Sequence, residues 1–340
     1  MPILRLILAL PFALTALHQA TIHHAGPELA SASSTNVASW PWLPKGGAIG
    51  PYAAPTRLVS IPSQSPLRRW SYGWPLKPFD APHPVRAYLD DPRVSMDSTQ
   101  RSFHFGIDIS AKGNTPVFAI EAGIVHLHGA WTVNVRSGAR TFEYWHIVPT
   151  VKDGQWVSRH TLVGRTRTIF NHVHLSEYLS GRYVNPLRAG GLGPFADRTS
   201  PTTARLTFRQ TGRWSDPREV RGTVDLVADS FDVVRDVKPN PWPATPALLR
   251  WRIMQGTKVI APWHTSHDFR ESVLTRSEYS RTYASGTRMN HPGWAGYFCF
   301  YLTHGWNSRS VHNGTYRLEV AASDIRGNVG LAFFAFTVAN

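Results

Sequence analysis

The sequence predicts an all-β, mainly antiparallel fold, and three observations carry that prediction. Gly and Pro number 26 each among 340 residues, punctuation too dense for long helices. Aromatic residues are abundant (16 Phe, 11 Tyr, 13 Trp) while only 17% of residues are charged, which suits short strands and excludes a coiled coil, a helical bundle or a mainly disordered chain. No segment keeps a 3.6-residue apolar period beyond one or two turns, whereas short apolar runs bounded by turn residues recur from Trp70 onward.

The length favours two folded halves behind an exported leader. Residues 1–20, MPILRLILALPFALTALHQA, combine one arginine, an apolar run and a small residue at Ala20, the pattern of a secretory signal peptide. The run is interrupted by Arg5 and Pro11 and is short for a membrane span. Residues 21–65 are rich in Ala, Ser, Pro and Gly and read as a linker or pro-segment. Residues 66–197 and 198–340 are the two expected domains. The expected location is outside the cell.

Composition narrows the chemistry. Lys and Arg total 36 against 22 Asp and Glu, for a net charge of +14. The excess is spread along the chain, which suggests anionic surroundings such as a cell wall or nucleic acid, and the lack of a basic run or helix argues against a dedicated nucleic-acid reader. Cys299 is the single cysteine, so an internal disulfide framework and a multi-cysteine zinc site are both excluded. Metal chemistry must therefore use histidine and carboxylate.

Of 16 histidines, eight fall between His83 and His174, and their spacing is informative. On a strand, alternate residues share a face. In Phe103–Ile109, Phe105, Ile107 and Ile109 are expected in the core, with His104, Gly106 and Asp108 opposite. Gly106 leaves room between an imidazole and a carboxylate for an ion. In Asn171–Leu175, Val173 and Leu175 take the core face, so His172 and His174 project together. In Glu143–Ile147, Tyr144 and His146 are expected on a shared face. His104, Asp108 and one of His172 and His174 would give three ligands to a zinc that keeps a fourth position for water. No HExxH helix supplies a glutamate base, so the remaining imidazoles are the proton carriers, and the chemistry that results is amide hydrolysis.

His104-Phe105-Gly106-Ile107-Asp108, Tyr144-Trp145-His146 and His172-Val173-His174, in this order, resemble the lysostaphin-type (LytM-like) zinc metallopeptidases of bacterial cell walls. The similarity covers residues 70–195 and extends to Thr115–Ala119 with Ala122–Val125, to Val151–Val157 and to Asn185-Pro186-Leu187. It implies a LytM-like β-sheet domain, one Zn2+ per chain on His104, Asp108 and His174, and His146 and His172 as the catalytic pair. The implied partners are peptidoglycan peptides, with anionic wall polymers as further candidates. The chain departs from the family at Arg165–Asn171 and at Thr132–Val135, segments that would wall the substrate cleft, so glycine cross-bridges are not assumed as the substrate. Two other readings fit part of this pattern. A mononuclear iron oxygenase also uses two His and one carboxylate, but leaves His146 and His172 without work. A non-catalytic wall-binding or hydrolase-regulating protein could keep the fold, yet all five polar positions are retained.

The other polar residues have plainer readings. His126, His128 and His160 are expected at the surface or rim, and His83 in the cleft or an extended loop. Glu177 is either a surface residue or an orienting partner of a ligand imidazole. Cys299 is expected to be a buried, inert thiol. From residue 198, alternating strands with Asn-Gly and Gly-Asn turns suggest a β-sandwich, and Asn313–Tyr316 through Ser323–Asn328 resemble the last strands of an immunoglobulin-like bacterial domain. Asp225, Asp229, Asp232 and Asp236 lack the spacing of a calcium loop, so no calcium is expected from that run.

Overall fold

Apolar residues at alternate positions build the sheet that carries the candidate site. Ile107 and Ile109, Val133 and Val135, Phe142 and Tyr144, and Val173 and Leu175 are all fully buried in one core. They belong to the strands Ile107–Ser110, Thr132–Ser137, Arg140–Trp145 and His172–Leu179. The computed structural model describes residues 51–63, 70–94, 101–234, 242–291 and 295–340. The expected signal peptide and most of the expected linker lie outside the described residues.

The sheet runs in the order Trp156–Val157, Gly123–Leu127, Thr132–Ser137, Arg140–Trp145, His172–Leu179, Ile107–Ser110, Val85–Ala87, with Arg182–Val184 also paired to His172–Leu179. Its pairs are antiparallel. The register sets His174 opposite Asp108 on one side and opposite Trp145 on the other. A smaller antiparallel sheet of Pro116–Phe118, Leu162–Thr166 and Ile147–Pro149 accompanies it.

The second half is two sheets around a shared core. One holds Thr202–Gln210, Thr223–Val234 and Cys299–Asn307; the other holds Val329–Val338, Gly314–Ser323, Leu248–Gln255 and Lys258–Asp268 in that order. Leu206, Phe208, Leu226 and Phe300 from the first meet Trp251, Leu318, Phe334 and Phe336 from the second. Glu219–Val220 joins the second sheet through a parallel pairing with Val329–Val338. The Tyr316 hydroxyl bonds back to the carbonyl of His312 at 2.6 Å. The one α-helix among the described residues is Tyr279–Thr282, so the all-β expectation holds.

Part of the stretch read as linker is structured. Arg57–Ile61 pairs along Val329–Val338, because the apolar edge of that final strand offers unpaired backbone groups to a partner.

The two halves pack through specific contacts, and all described residues belong to one compact unit. Phe103 lies in the sandwich core against Tyr279 and Tyr283. The Thr245 N–H donates to Asp91, the Leu274 N–H to Asp90, and the Asn185 amide to the Phe269 carbonyl.

Candidate metal centre

Five sequence-predicted residues come together on the face of the sheet opposite its core. His104, Asp108, His172 and His174 are buried and His146 is half-buried. His104 Nε2 lies 2.7 Å from His174 Nδ1 and 3.1 Å from Asp108 Oδ1, and His174 Nδ1 is also 3.1 Å from that oxygen. Three donor atoms thus converge on one point.

The orientation of each imidazole has a visible cause. His104 donates its Nδ1–H to the Tyr88 carbonyl at 2.8 Å, which leaves Nε2 facing inward. His174 Nε2 meets the Ser176 hydroxyl at 2.8 Å, which turns Nδ1 inward. Backing of this kind is what fixes the tautomer of a metal-binding histidine. The second oxygen of Asp108 lies 3.1 Å from an Arg93 nitrogen. Gly106 is required by close approach, since a Cβ there would sit 2.3 Å from the Leu175 carbonyl oxygen and 2.9 Å from His174 Nε2.

The second pair lies beside the first three. His172 donates Nδ1–H to the Phe170 carbonyl at 2.9 Å, leaving Nε2 at 3.6 Å from Asp108 Oδ1. His146 stacks on Phe170 with centroids 4.1 Å apart and meets the His172 ring edge-on at 4.8 Å. Burial pushes the His104 imidazole down to about 3 and His146 down to about 4, and it lowers His172 as well. Burial would raise Asp108, but His104 and His174 beside it bring the carboxyl well below its usual range. His104, His146 and His172 are therefore held as neutral imidazoles beside the Asp108 carboxylate, the states that metal binding requires.

Two expectations about the strands are corrected. Tyr144 and His146 do not share a face: Tyr144 is in the core, where its oxygen accepts the Ile120 N–H, and His146 reaches the site through a left-handed backbone (φ 66°). That residue sits between two strands, where alternation no longer applies. Phe105 is not in the core either. The strand breaks between Phe103 and Ile107, and Phe105 turns to the site face against Trp145, His174 and Tyr183.

The surface beside His146 is aromatic and cationic. The Arg167 guanidinium sits 3.7 Å from the Trp131 ring centroid and 5.2 Å from that of Phe170, and Ile169 is 70% exposed. His126 and His128 are exposed, His160 stacks on Phe79, and His83 donates to the Pro78 carbonyl, so none of them joins the centre. Glu177 is neither a surface residue nor an imidazole partner. It is fully buried, three residues from His174 and so on the other face, bound by Arg188 at 2.6 and 2.7 Å, by Arg140 at 2.9 Å and by the Tyr72 hydroxyl.

Three groups that support the centre, from Tyr88, Arg93 and Ser176, lie outside the sequence motifs. Ser176 was legible, because it continues the 172, 174 alternation. Arg93 and the Tyr88 carbonyl were not, since they come from a hairpin and a loop whose approach no local pattern encodes.

No protein-family model and no curated protein matches this chain. Solved structures similar to it include Helicobacter pylori Csd3 (20% identity, 38% of this chain and 36% of that one, TM-score 0.30). A zinc containing peptidase from Vibrio cholerae matches at 19% identity over 35% of this chain and 39% of that one, TM-score 0.30. The catalytic domain of lysostaphin from Staphylococcus simulans matches at 17% identity over 31% of this chain and 90% of that one, TM-score 0.27. The chain thus spans well under half the length of the first two. No helix among the described residues is long and apolar enough to cross a membrane.

Proposed function

We propose that this chain is an exported zinc metalloendopeptidase that hydrolyses peptide bonds in bacterial cell-wall peptidoglycan. The observation that carries this reading is the convergence of His104 Nε2, Asp108 Oδ1 and His174 Nδ1, with the imidazoles of His146 and His172 alongside. The residues fit zinc. Donors about 2.0–2.2 Å from a tetrahedral zinc stand roughly 3.3 Å from one another. The three atoms here are 2.7–3.1 Å apart, and both ligand histidines have their other ring nitrogen engaged.

His104, Asp108 and His174 would hold the ion. When bound there, zinc supplies Lewis-acid polarisation of the scissile carbonyl and lowers the pKa of water. His172, with Nδ1–H engaged by Phe170, presents an unprotonated Nε2 that can take a proton. His146 stands next to it and can donate a hydrogen bond to oxygen charge as it develops. Arg93 fixes the Asp108 carboxylate by its far oxygen. The Trp131, Arg167 and Phe170 wall would receive the peptide stem, and the net charge of +14 suits an anionic wall as surroundings.

The second half belongs to the same proposal as an immunoglobulin-like domain. Supporting it are the two-sheet order, the parallel strand Glu219–Val220 beside the last strand, and Tyr316 near the start of its strand bonded back to His312. Its packing against the first half supports a bracing role.

The test is release of new amino termini from purified peptidoglycan, with mass spectrometry of the fragments. Release that stops with a chelator and returns with zinc is the expected result. Absence of release from several wall types, with zinc bound, would overturn it.

A further inference from the structure

Three aspartates far apart in the sequence meet at the seam between the halves. Asp197 lies in the segment leaving the first half, Asp232 in the Thr223–Val234 strand, and Asp324 in the turn after Gly314–Ser323. One oxygen of each lies within 4.8 Å of the others. Asp232 is fully buried; its Oδ1 accepts the Val233 N–H at 2.8 Å, while its Oδ2 is buried with no hydrogen-bond donor. Asp324 is buried and bonded to the backbone and side chain of Asn328. Asp197 is held by the N–H and hydroxyl of Thr199 and is only half buried, which leaves an approach from solvent.

The carboxylates repel one another. After burial itself, the strongest influences raising Asp232 are the carboxylates of Asp197 and Asp324, with Asp91 a further one. Asp324 is pushed up to about 7 by burial and by Asp197. Like charges gathered in a low dielectric disfavour one another's ionised forms, and Asp232 feels this from both neighbours. A divalent cation would offset that repulsion and satisfy the orphaned Asp232 oxygen.

We propose that Asp197, Asp232 and Asp324 form a second metal site, for a calcium-class cation, separate from the His104, Asp108 and His174 centre. The donor set selects the ion. It is all oxygen, without nitrogen or sulfur, which suits hard cations over zinc. Oxygens of one calcium shell, about 2.3–2.6 Å from the ion, stand at most roughly 5 Å apart, and the three here fall inside that limit. Three protein carboxylates drawn from separate segments form the adaptable cage that calcium accepts, whereas magnesium keeps most of its water.

The position gives the ion a task. Asn328 donates to the Asp197 carbonyl at 3.1 Å and the Tyr88 hydroxyl reaches the Asp197 carboxylate at 3.4 Å. The carbonyl of that same Tyr88 receives His104. A cation there would pin both sheets of the sandwich to the segment that backs a ligand histidine. The inference concerns stability and stands whether or not the chain is a peptidase.

The test uses the full chain, stripped with chelator and reloaded with one equivalent of zinc so that the histidine centre is filled. Calcium chloride is then titrated calorimetrically, and the thermal midpoint is followed up to about 10 mM, above the range typical of extracellular calcium modules. One further cation per chain is expected, with a rise in midpoint of several degrees. Asp232→Asn keeps the acceptor for Val233 and should lose both the heat and the rise, as should Asp324→Asn, while each still binds its zinc. No heat in the wild type, the same rise with sodium chloride of matched ionic strength, or a rise retained in both variants would overturn the proposal.

Discussion

His104 hands its Nδ1–H to the Tyr88 carbonyl at 2.8 Å, and that single bond turns the opposite nitrogen toward His174. The candidate centre is thus oriented from behind, by groups outside the three converging donors. The same logic holds at Ser176, which orients His174 from the next position on its own face.

Ser176→Ala should therefore weaken zinc affinity by about 10–100-fold, the usual cost of removing a group that backs a ligand. Hydrolysis at saturating zinc should stay near the wild-type rate. Competition titration against a chromogenic chelator reads the first quantity and assays in excess zinc the second.

Gly106→Ala should fold poorly or not hold zinc. The added carbon would lie 2.3 Å from the backbone oxygen of Leu175 and 2.8 Å from Ser176 Oγ, and the backbone oxygen cannot swing aside. Overpacking of this kind costs about 1–3 kcal/mol. Urea denaturation and zinc content of the purified variant check both parts.

Glu177→Gln should destabilise the fold while leaving zinc affinity unchanged. Glu177 is the counter-charge to both Arg188 and Arg140 in a fully buried setting on the far face of the sheet. Removing one partner of such a group typically costs about 3–5 kcal/mol, because the remaining charge stays buried. Denaturant midpoints and zinc titration separate this from a role at the centre.

His267 predicts an acid-side loss of stability. Burial in the sandwich pushes its imidazole down to about 4, and Nε2–H donates to the Tyr301 carbonyl at 2.7 Å. Its folded pKa lies below the unfolded value of about 6.5, so between those two the unfolded chain binds the extra proton. Stability from this group is intact above pH 6.5 and falls as pH drops toward 4, by up to roughly 3 kcal/mol. His267→Gln can keep the hydrogen bond without titrating. The difference between wild type and variant in denaturation free energy should shift in favour of the variant between pH 7 and pH 4.

What the sequence could reveal followed from strand alternation. Val173, Leu175, Ile107 and Ile109 lie in the core, and His172 and His174 lie opposite them, because those segments are regular strands. Alternation failed where the backbone leaves the pleat, at the break before Gly106 and at the left-handed His146, so Phe105 and Tyr144 were misplaced. Glu177 was misread because the arginines that neutralise it come from Arg140 and Arg188, whose approach is set by the fold. The seam aspartates were illegible for the same reason: residues 197, 232 and 324 share no local pattern.

The most direct measurement follows zinc content and amino-terminus release in the same preparations of wild type, His172→Ala and His174→Ala. One zinc per chain and hydrolysis of purified peptidoglycan are expected for the wild type. One zinc without hydrolysis is expected for His172→Ala, and strongly weakened zinc binding for His174→Ala. Full activity in His172→Ala, or undiminished zinc affinity in His174→Ala, would contradict the proposed roles of these residues.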